Sequence, residues 1–455
     1  MRSGSRKRAG LGGGCRRRGR RRGSNARVKR NRSGVVAGLA AMTLAAAVFA
    51  SRHKRSAGGP AAGWSRPPDV ASSLASPPSL PHGLGVGAPP SAGDASESSA
   101  RGVAMLHGDP RHTHRALGGA PRSAPALLWS HDVGGPIEAQ IATSADEQTL
   151  YVASLGGSLT ALAREDGTER WSLPLGDRVY ATPCVARDGT IYVGSDSKKF
   201  VAVSPEGKVK WSLATEGDAD TGPVMASDDI VVFAAGRTVY GVTPYGHLKW
   251  RFAAKRKVFT SPAIGPSGRV FFGSQDHRAY ALTEKGALAW SVDLGADVDG
   301  APAVGDDGAV FFGTDGDEIV RLDPDDGRVI WRANVGGYVR GTLSVTRSGD
   351  VLAGVYGPTP REVRVRAGDG SVIGQFAVQG TGAREFGVHG GALEDDTGTV
   401  LFGTQDDFVY AVGEASDLLW RFRTGGDVDA PVTLLGDGSV VVGSDDGRVY
   451  LLRAM

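Results

Sequence analysis

The residues most able to do chemistry in this 455-residue sequence are acidic side chains that recur at a fixed distance from large aromatic residues. Nine residues after each of eight aromatic residues lies one member of a set in which five are Asp or Glu. Crowded carboxylates repel one another, so they either recruit a cation such as Ca²⁺ or hold a proton at a higher pH than usual. The alternative is that these side chains are simply solvated and bind nothing. The eight positions are Glu138, Tyr180, Asp220, Phe259, Asp299, Arg340, Glu385 and Asp429.

The aromatic residues that precede this set define a repeat. The tryptophans after residue 125 are 39 to 42 residues apart, except for one gap of 89 residues in which Phe376 takes the aromatic place. We expect these side chains to be structural and to pack between neighbouring repeats, because large flat rings fill such gaps well. The eight aromatic residues are Trp129, Trp171, Trp211, Trp250, Trp290, Trp331, Phe376 and Trp420.

Each repeat contains four short runs with the composition of β-strands. In one repeat, within residues 269–304, the runs are RVFFGS, RAYALT, LAWSV and GAPAV. Turn residues such as Asp306-Asp307-Gly308 separate them, which is typical of antiparallel hairpins. Four strands in each repeat of about 40 residues predict an all-β fold, the β-propeller. The runs that end in Gly-Ser or an equivalent predict eight blades, and the strand LLWSH at 127–131 should join the last blade and close the ring.

The repeats also resemble a known family. Runs such as GTIYVGS, RAYAL, LKWRF and TSPAI are similar to the pyrroloquinoline-quinone (PQQ) type of propeller repeat over about residues 126–455. Within that family the chain is most similar to the propeller lipoprotein of the outer-membrane β-barrel assembly machinery, although no lipid-attachment cysteine follows its apolar segment. The resemblance implies a scaffold for protein interaction.

Other members of the family are quinone-dependent dehydrogenases. The resemblance implies that such an enzyme has a catalytic aspartate beside a calcium ion and often a pair of adjacent cysteines against the quinone. This sequence has only Cys15 and Cys184, which are far apart, and we interpret Cys184 as a small core residue. We therefore expect no catalytic residue and no PQQ.

The N-terminal part differs in composition from the rest. Residues 1–32 carry fourteen Lys or Arg and no acid, and an uncharged segment follows at 34–50. This pattern predicts that residues 1–50 are a basic leader with a signal peptide cleaved after Ala50, or with an uncleaved membrane anchor. Residues 51–104 are rich in Pro, Ser, Ala and Gly, and we expect them to form a flexible tether.

Residues 105–125, which we call the arm, contain a group of polar residues that could be taken for metal ligands: His107, Asp109, His112 and His114. Their spacing matches no strong ligand pattern. We expect the arm to lie in an ordered conformation over the propeller.

The propeller region is acidic, because residues 126–455 carry 30 basic and 45 acidic residues. This balance argues against nucleic acid as a partner and favours cations or basic protein surfaces. We interpret the turns Asp445-Asp446-Gly447 and Asp315-Gly316-Asp317 as hairpin turns and not as calcium loops.

These patterns predict an exported, non-catalytic scaffold for protein–protein interaction in the cell envelope, with other envelope proteins as partners and a role in envelope or outer-membrane protein assembly. It would be periplasmic, or attached to the membrane through residues 34–50. Two alternatives stay open, a PQQ-dependent dehydrogenase and a module that binds carbohydrate or cell-wall polymer.

Overall fold

In a computed structural model, residues 102–227, 229–414 and 416–455 are described, and they form eight antiparallel sheets of four strands each. The predicted leader, 1–50, and the predicted tether up to residue 101 lie outside the described residues. The sheets are blades around a central channel, so the predicted eight-bladed β-propeller is confirmed. The described part contains a short 3-10 helix, Leu106–Gly108, and no helix with the length and apolarity to cross a membrane.

Each blade is a meander that runs from an inner strand beside the channel to an outer strand at the rim. The first strand of the chain is β1 (Ala126–Asp132). Blade one contains β2 (Ala142–Thr143), β3 (Thr149–Ser154), β4 (Ser158–Ala163) and β5 (Glu169–Pro174). Blade two contains β6 (Cys184–Val185), β7 (Ile191–Ser195), β8 (Lys199–Val203) and β9 (Val209–Ala214). Blade three contains β10 (Val224–Ser227), β11 (Ile230–Ala235), β12 (Thr238–Val242) and β13 (Leu248–Ala253).

The later blades follow the same order. Blade four contains β14 (Ala263–Ile264), β15 (Val270–Ser274), β16 (Arg278–Leu282) and β17 (Leu288–Asp293). Blade five contains β18 (Ala303–Val304), β19 (Val310–Gly313), β20 (Glu318–Leu322) and β21 (Val329–Asn334). Blade six contains β22 (Ser344–Val345), β23 (Val351–Val355), β24 (Arg361–Val365) and β25 (Val372–Ala377). Blade seven contains β26 (Leu393–Glu394), β27 (Val400–Thr404), β28 (Phe408–Val412) and β29 (Leu418–Arg423), and blade eight contains β30 (Thr433–Leu434), β31 (Val440–Gly443) and β32 (Arg448–Arg453).

The ring closes between the two ends of the propeller sequence. β1 pairs antiparallel with β32 and becomes the outer strand of blade eight, as the sequence predicts. Ile137 and Leu150 of blade one pack with Val441 and Leu451 of blade eight in one apolar cluster. One sheet therefore holds both ends, and loss of that sheet would open the ring.

The hydrophobic core lies between neighbouring blades. Phe271 of blade four, for example, shares a buried cluster with Val310 and Phe312 of blade five. All five residues of β15 are buried, because both faces of this strand contact another blade. The outer strand β13 alternates exposed and half-buried residues, because it lies at the rim. Continuous apolar runs and alternating runs in the sequence thus correspond to middle and outer strands.

The recurring tryptophans join each blade to the next. Trp250 on β13 donates its indole N–H to the Glu284 carbonyl, in the turn before the outer strand of blade four, at 3.0 Å. Its ring packs against Gly286 of that turn, where φ is +77° and an added Cβ would lie 2.4 Å from the ring. An indole N–H bond to a carbonyl at the corresponding turn of the next blade is also made by Trp129, Trp171, Trp211, Trp290 and Trp331.

At blade eight the arm replaces the turn that the other tryptophans contact. The outer strand of this blade is β1, so no turn connects it to β32. Trp420 of blade seven instead donates its indole N–H to the Pro121 carbonyl, at 2.6 Å. The arm therefore completes the last blade at the position where the chain connectivity is broken.

In blade six the assignment of Phe376 to the tryptophan position is wrong. Each outer strand has a bulge at its start, and the residue after the bulge is the tryptophan in the other blades. In blade six this residue is Gly374, which pairs with Arg364. Phe376 lies two residues further along β25, where it is fully buried and packs on Phe402 and Tyr410 of blade seven.

Candidate functional site

The channel has two ends, and one of them, which we call the mouth, carries the predicted acidic positions. Here each linker from an outer strand enters the next inner strand beside the turn between the second and third strands of the blade. In blade five the Asp315 N–H donates to the Asp297 carbonyl at 2.9 Å. In blade eight the Asp445 N–H donates to the Asp427 carbonyl at 2.8 Å. This recurring bond fixes two positions in each blade at the mouth.

Seven of the eight positions singled out in the sequence are equivalent in the structure. Each directly follows a fully buried apolar residue of the linker, as Asp299 follows Val298 and Asp429 follows Val428. Whether these positions bind a ligand stays a prediction. The seven are Glu138, Tyr180, Asp220, Phe259, Asp299, Arg340 and Asp429.

In blade seven the equivalent position is held by His389 and not by Glu385. The fully buried residue there is Val388, and His389 follows it. His389 comes fifteen residues after Gly374, whereas the other linkers reach the mouth after nine, so this linker is longer. Counting from an aromatic residue could not reveal the insertion. Glu385 still reaches the mouth, where its carboxylate forms an ion pair with Arg340.

Between blades five and six, the acids at the mouth have a cationic partner. Arg340 contacts both carboxylate oxygens of Asp315, with Nε 2.9 Å from Oδ1 and Nη2 2.6 Å from Oδ2. Asp299 accepts a hydrogen bond from the Gln275 amide at 3.3 Å. Burial raises the pKa of Asp299 to about 6, and that hydrogen bond opposes the shift.

Between blades two and three, the acids are also compensated by basic side chains. Lys257 Nζ lies 2.9 Å from Asp220 Oδ2, and Arg178 Nη2 lies 3.0 Å from Asp196 Oδ2. Burial and the neighbouring Asp220 raise the pKa of Asp196 to about 6, while Arg178 opposes that shift. Direct ion pairs thus offset much of the negative charge in this sector.

The sector between blades eight and one differs, because Glu138 holds the position that Arg340 holds in blade six. We call Glu138, Asp427, Asp429 and Asp445 the acidic quartet. Among the described residues, no ion pair joins the quartet to a basic side chain. Asp429 is only 8% exposed, and one oxygen each of Asp429 and Asp445 is buried without a hydrogen-bond partner, as is one oxygen each of Asp196, Asp220 and Asp299 in the paired sectors.

Burial and mutual repulsion change how three members of the quartet titrate. Burial, followed by the charges of Asp429 and Glu138, raises the pKa of Asp445 to about 9. Burial and Asp429 raise the pKa of Glu138 to about 8, while the charge of Arg178 opposes that shift. Burial and Asp429 also raise the pKa of Asp427 to about 7. Glu138, Asp427 and Asp445 are therefore partly protonated near neutral pH, and a cation placed beside the quartet would stabilise it.

Carboxylate groups at the mouth could bind a hard cation. Two groups of three carboxylates place one oxygen each within 4.8 Å of the others. Oxygen ligands suit Ca²⁺, although occupancy of these positions stays a prediction. The two groups are Asp196, Asp218, Asp220 and Asp297, Asp299, Asp315.

Cys184 bears on the quinone alternative. It is fully buried in the apolar cluster that links blades two and three, and burial raises the pKa of its thiol to about 12. An inert core thiol cannot pack against a quinone at the mouth. The described residues contain no other cysteine, so they do not offer the cysteine pair that the resemblance to quinone enzymes implies.

The other end of the channel, which we call the floor, is covered by the arm together with Val103 and Ala104 just before it. Carbonyl groups of this segment accept hydrogen bonds from the last residue of the inner strand in six blades, at 2.6 to 3.2 Å. Such main-chain bonds resemble the addition of a strand to a sheet edge. The six donors are Thr143, Val185, Ile264, Val304, Val345 and Glu394.

Three histidines of the arm fill the floor and are only 1 to 3% exposed: His107, His112 and His114. The rings of His107 and His114 stack with their centroids 3.8 Å apart, and the His112 ring lies 6.1 Å from that of His107. Burial lowers the pKa of all three, to about 3 for His114. The floor therefore contains neutral imidazoles at neutral pH.

The histidine rings bond to main-chain and amide groups. His114 Nδ1 lies 3.0 Å from the Ala392 carbonyl, and His114 Nε2 lies 3.1 Å from the Gln140 amide nitrogen. In the neutral ring Nδ1 donates to the Ala392 carbonyl and Nε2 accepts from the Gln140 amide, although Nε2 also lies 3.1 Å from the Val432 carbonyl. His112 Nδ1 donates to another carbonyl at 2.9 Å, whereas His107 Nε2 is buried without a partner. These contacts support the expectation of an ordered arm.

The sequence analysis treated Asp315 and Asp445 as members of hairpin turns and did not connect them with the linker residues as a second position of each blade at the mouth. This residue follows the second strand, and it is an aspartate in three blades, at Asp196, Asp315 and Asp445. A signal was present, because Gly-Ser-Asp or Gly-Thr-Asp recurs at 194–196, 313–315 and 443–445. The pattern looked like the end of a strand, and its link to the linker residues depends on pairing within the blade.

Comparison with known proteins agrees with this architecture. Relatives named outer membrane protein assembly factor BamB include the protein of Salmonella typhimurium (strain LT2), which is 25% identical over 115 residues. That match covers 22% of this chain and spans 29% of the length of the relative. Because the match is partial, the activity of the whole relative does not transfer to this chain.

Solved structures share the fold at low sequence identity. BamB from Moraxella catarrhalis has a TM-score of 0.60 and 18% identity, and the match covers 72% of this chain and 99% of that chain. A europium-containing methanol dehydrogenase has a TM-score of 0.62 and 12% identity, over 78% of this chain and 99% of that chain. Likeness at this identity shows the propeller fold alone.

The family assignment comes from the sequence itself. The family described as outer membrane protein assembly factor BamB matches residues 123–189, 184–283 and 275–391, which together are more than half of the chain. The matched residues contain β1 and blades one to six, whereas blades seven and eight, with Asp427, Asp429 and Asp445, come after them in the chain. The chain therefore belongs to the BamB family of PQQ-type β-propellers.

Proposed function

We propose that this chain is an exported, non-catalytic scaffold that binds other proteins of the cell envelope through the channel mouth. Membership of a family named for outer-membrane assembly supports an interaction role. The observation that carries the proposal is the acidic quartet. Its carboxylates form no ion pair with a basic side chain among the described residues, although the other acidic sectors of the mouth are paired.

A basic patch on the partner would supply the positive charge that no ion pair provides to the acidic quartet. Ammonium or guanidinium groups placed beside the quartet would relieve the repulsion between Glu138 and Asp445. Such an interface gains association rate from electrostatic attraction and loses it as salt is added. The rigid blades contribute by holding the mouth residues in fixed relation to one another, so the partner binds a preformed surface.

The arm suggests how the mouth would be oriented in the envelope. Gly102, the first described residue, lies beside Ser144 at the floor. Any attachment through the preceding sequence therefore leaves from the floor side. With that attachment at a membrane, the mouth would face away from the membrane and remain accessible to partners.

Site-specific photo-crosslinking in the native envelope tests the proposal. A photoreactive phenylalanine analogue would replace Phe259, which is 39% exposed at the mouth, and in a control it would replace Tyr245, which is 80% exposed in a turn at the floor side. We expect defined adducts from position 259 that weaken when salt is raised or when Glu138→Gln and Asp445→Asn are introduced. Adducts confined to position 245, or adducts indifferent to these substitutions, would count against docking at the mouth.

The dehydrogenase remains the alternative, because a methanol dehydrogenase shares the fold. The discriminating experiment is to titrate the full chain with Ca²⁺ and PQQ. The scaffold proposal expects no quinone absorbance on the protein and no rise in melting temperature that requires both ligands. Binding of both would contradict it.

A further inference from the structure

The arm is held at the floor by six main-chain bonds and by three buried histidines, whose rings lie beside backbone carbonyls and the Gln140 side chain. We propose that the arm is an acid-released plug, which seals the floor of the channel at neutral pH and leaves it when His107, His112 and His114 become protonated. This inference concerns the floor, so it stands or falls independently of docking at the mouth. Three features support it: the surroundings of the three rings, the backbone conformation of the arm and the bonds that the arm makes to the blades.

The surroundings of the rings offer no charge that would stabilise three imidazolium groups. The His107 ring faces the other two histidines, and the backbone N–H of His107 donates to the Gln140 side-chain oxygen at 2.7 Å. His114 faces carbonyls and the same Gln140 side chain. The nearest acid is Asp109, which favours the charged form of His112 but is already bonded to the Thr113 hydroxyl.

Other charged groups beside the arm are engaged elsewhere. Asp306 of blade five pairs with two arginines of the arm, at 2.7 and 2.8 Å. Glu394 of blade seven pairs with Arg364 at 3.2 Å and lies 3.7 Å from Arg347. Protonated histidines would therefore meet one another and backbone carbonyls, with Asp109 as the one nearby counter-charge that the described contacts provide.

The arm also carries strain at the same residues. His107, His112 and His114 have φ values of +56°, +58° and +54°, a region that non-glycine residues rarely occupy. His107 Nε2 is buried without a hydrogen-bond partner. The six main-chain bonds from the inner strands stabilise this conformation against the cost of the positive φ values. Because the two contributions oppose each other, a modest electrostatic penalty is enough to favour release of the arm.

The sign of the pH effect follows from the lowered pKa values. A released arm would titrate near the ordinary histidine value of 6.5, whereas the docked histidines take up protons only at lower pH, about 3 for His114. Docking is therefore unaffected by pH above about 6.5 and weakens below it. Each histidine contributes up to about tenfold per pH unit, so three together would give up to about a thousandfold per unit.

Release would change what the floor can bind. The N–H groups of the last inner-strand residues, such as Thr143 and Glu394, would lose their acceptors, and they could then pair with another extended segment. Trp420 would lose the Pro121 carbonyl that its indole N–H contacts. The channel, closed at neutral pH, would be open at both ends.

Hydrogen exchange of the full chain, measured by mass spectrometry between pH 7.5 and 4.5, tests the proposal. Exchange times are corrected for the intrinsic effect of pH. We expect the arm and the last inner-strand residues to lose protection together below about pH 6.5, while the middle-strand residues Phe271, Phe272 and Gly273 stay protected. Unchanged protection of the arm at pH 4.5 would overturn the proposal.

Variants identify the titrating groups. In H107N/H112N/H114N, each asparagine tolerates positive φ but cannot be protonated, so arm protection should no longer depend on pH. His247→Asn, at an exposed position outside the arm, is the control and should behave as the wild type does. Loss of arm protection in the triple variant as steep as in the wild type would also overturn the proposal.

A milder variant covers the case in which the triple variant cannot dock its arm at pH 7.5. His107 makes the weakest ring contacts of the three, because its Nε2 has no partner and its Nδ1 lies 3.4 Å from a carbonyl. His107→Asn should keep the arm docked at pH 7.5 and reduce the pH dependence of arm opening by about tenfold per unit. An unchanged pH dependence in this variant would contradict a role for His107.

Discussion

The mouth and the floor of the channel both bury titratable groups, but they do so in opposite ways. At the mouth, Glu138 and Asp445 repel each other and form no ion pair within the described part of the chain, and their pKa values are raised to about 8 and about 9. At the floor, His107 and His114 are buried among carbonyls and an amide, and burial lowers their pKa values. A positive charge would therefore stabilise the mouth, whereas a positive charge on the histidines would destabilise the floor.

Acid acts on the two ends of the channel with opposite sign. A carboxyl with a raised pKa weakens the fold progressively as pH rises from its unfolded value of about 4 towards its folded value. A histidine with a lowered pKa weakens the fold as pH falls below about 6.5. Acidification should therefore reduce the repulsion between carboxylates at the mouth and destabilise the docked arm at the floor. The pH at which the free energy of unfolding is largest reflects the balance of these two effects.

The largest change in stability is expected from a substitution in the packing between blades, which we call the wall and which connects the mouth to the floor. Trp250 packs between Gly241 of its own blade and Gly286 of the next, so Trp250→Ala should leave a cavity between blades three and four. We expect a loss of about 3 to 5 kcal/mol in the free energy of unfolding. Urea unfolding at pH 5 and pH 8 would measure it.

The loss in Trp250→Ala should be similar at the two pH values, because the indole does not titrate. A loss that differed strongly between pH 5 and pH 8 would show that the wall is coupled to one end of the channel. Tyr245→Ala, at a position that is 80% exposed, is the control and should change little.

A second change acts on the floor alone. Gly391 has φ of +69°, and an added Cβ would lie 2.6 Å from the Thr342 carbonyl oxygen and 2.7 Å from the His107 ring. Gly391→Ala should therefore displace the arm and reduce the free energy of unfolding by about 2 to 4 kcal/mol. Thermal unfolding and hydrogen exchange of the arm would measure this.

Gly398→Ala is the matched control for Gly391→Ala. Gly398 has φ of +80°, but the nearest atom to an added Cβ is 3.8 Å away, in the Glu414 side chain. It should lose only the backbone contribution, about 1 kcal/mol. Equal losses for the two variants would mean that the His107 contact does not matter for the floor.

A third change reverses the sign, because it removes repulsion at the mouth. Asp445→Asn should increase the free energy of unfolding by about 1 to 2 kcal/mol at pH 8, after allowance for its partial exposure. The gain should disappear near pH 4, where aspartate is largely protonated in the unfolded chain as well. Thermal melts across this pH range would show the trend.

Asp315→Asn provides the matched control, since Asp315 is the equivalent residue of blade five and is bonded to Arg340. Its loss should decrease stability at pH 8, by about 1 kcal/mol or more. Two changes of the same sign would refute the distinction between compensated and uncompensated sectors.

The smallest effect tests whether one residue creates the difference between the sectors. Glu138→Arg places an arginine where blade six has Arg340, and it should pair with Asp445. We expect a gain of about 1 kcal/mol at pH 8 and a lower pKa for Asp445, followed by carboxyl NMR. The reciprocal variant, Arg340→Glu, removes the hydrogen bonds to Asp315 and should shift the Asp315 carboxyl resonance. Unchanged carboxyl resonances in both variants would contradict this explanation.

Much of the site could be predicted from single positions, and the errors have physical causes. Asp299 and Asp429 were found because they lie at a constant distance from a repeating tryptophan. In blade six the count of nine residues began from Phe376, which lies two residues past Gly374, the residue that holds the position after the bulge. The longer linker that follows brings His389 to the mouth in place of Glu385, and an insertion of this kind carries no local signal.

The sequence by itself determined the number of blades, the order of strands within each and the closure of the ring by β1, because turns, apolar alternation and bulges are local properties of a repeat. Tertiary structure decided the path of the arm and the pairing of charges between blades. His114 bonds to Ala392 across 278 residues, and Arg340 bonds to Asp315 across a blade boundary. Such contacts depend on how rigid blades stack around the channel, and no periodicity along the chain encodes which charges meet there.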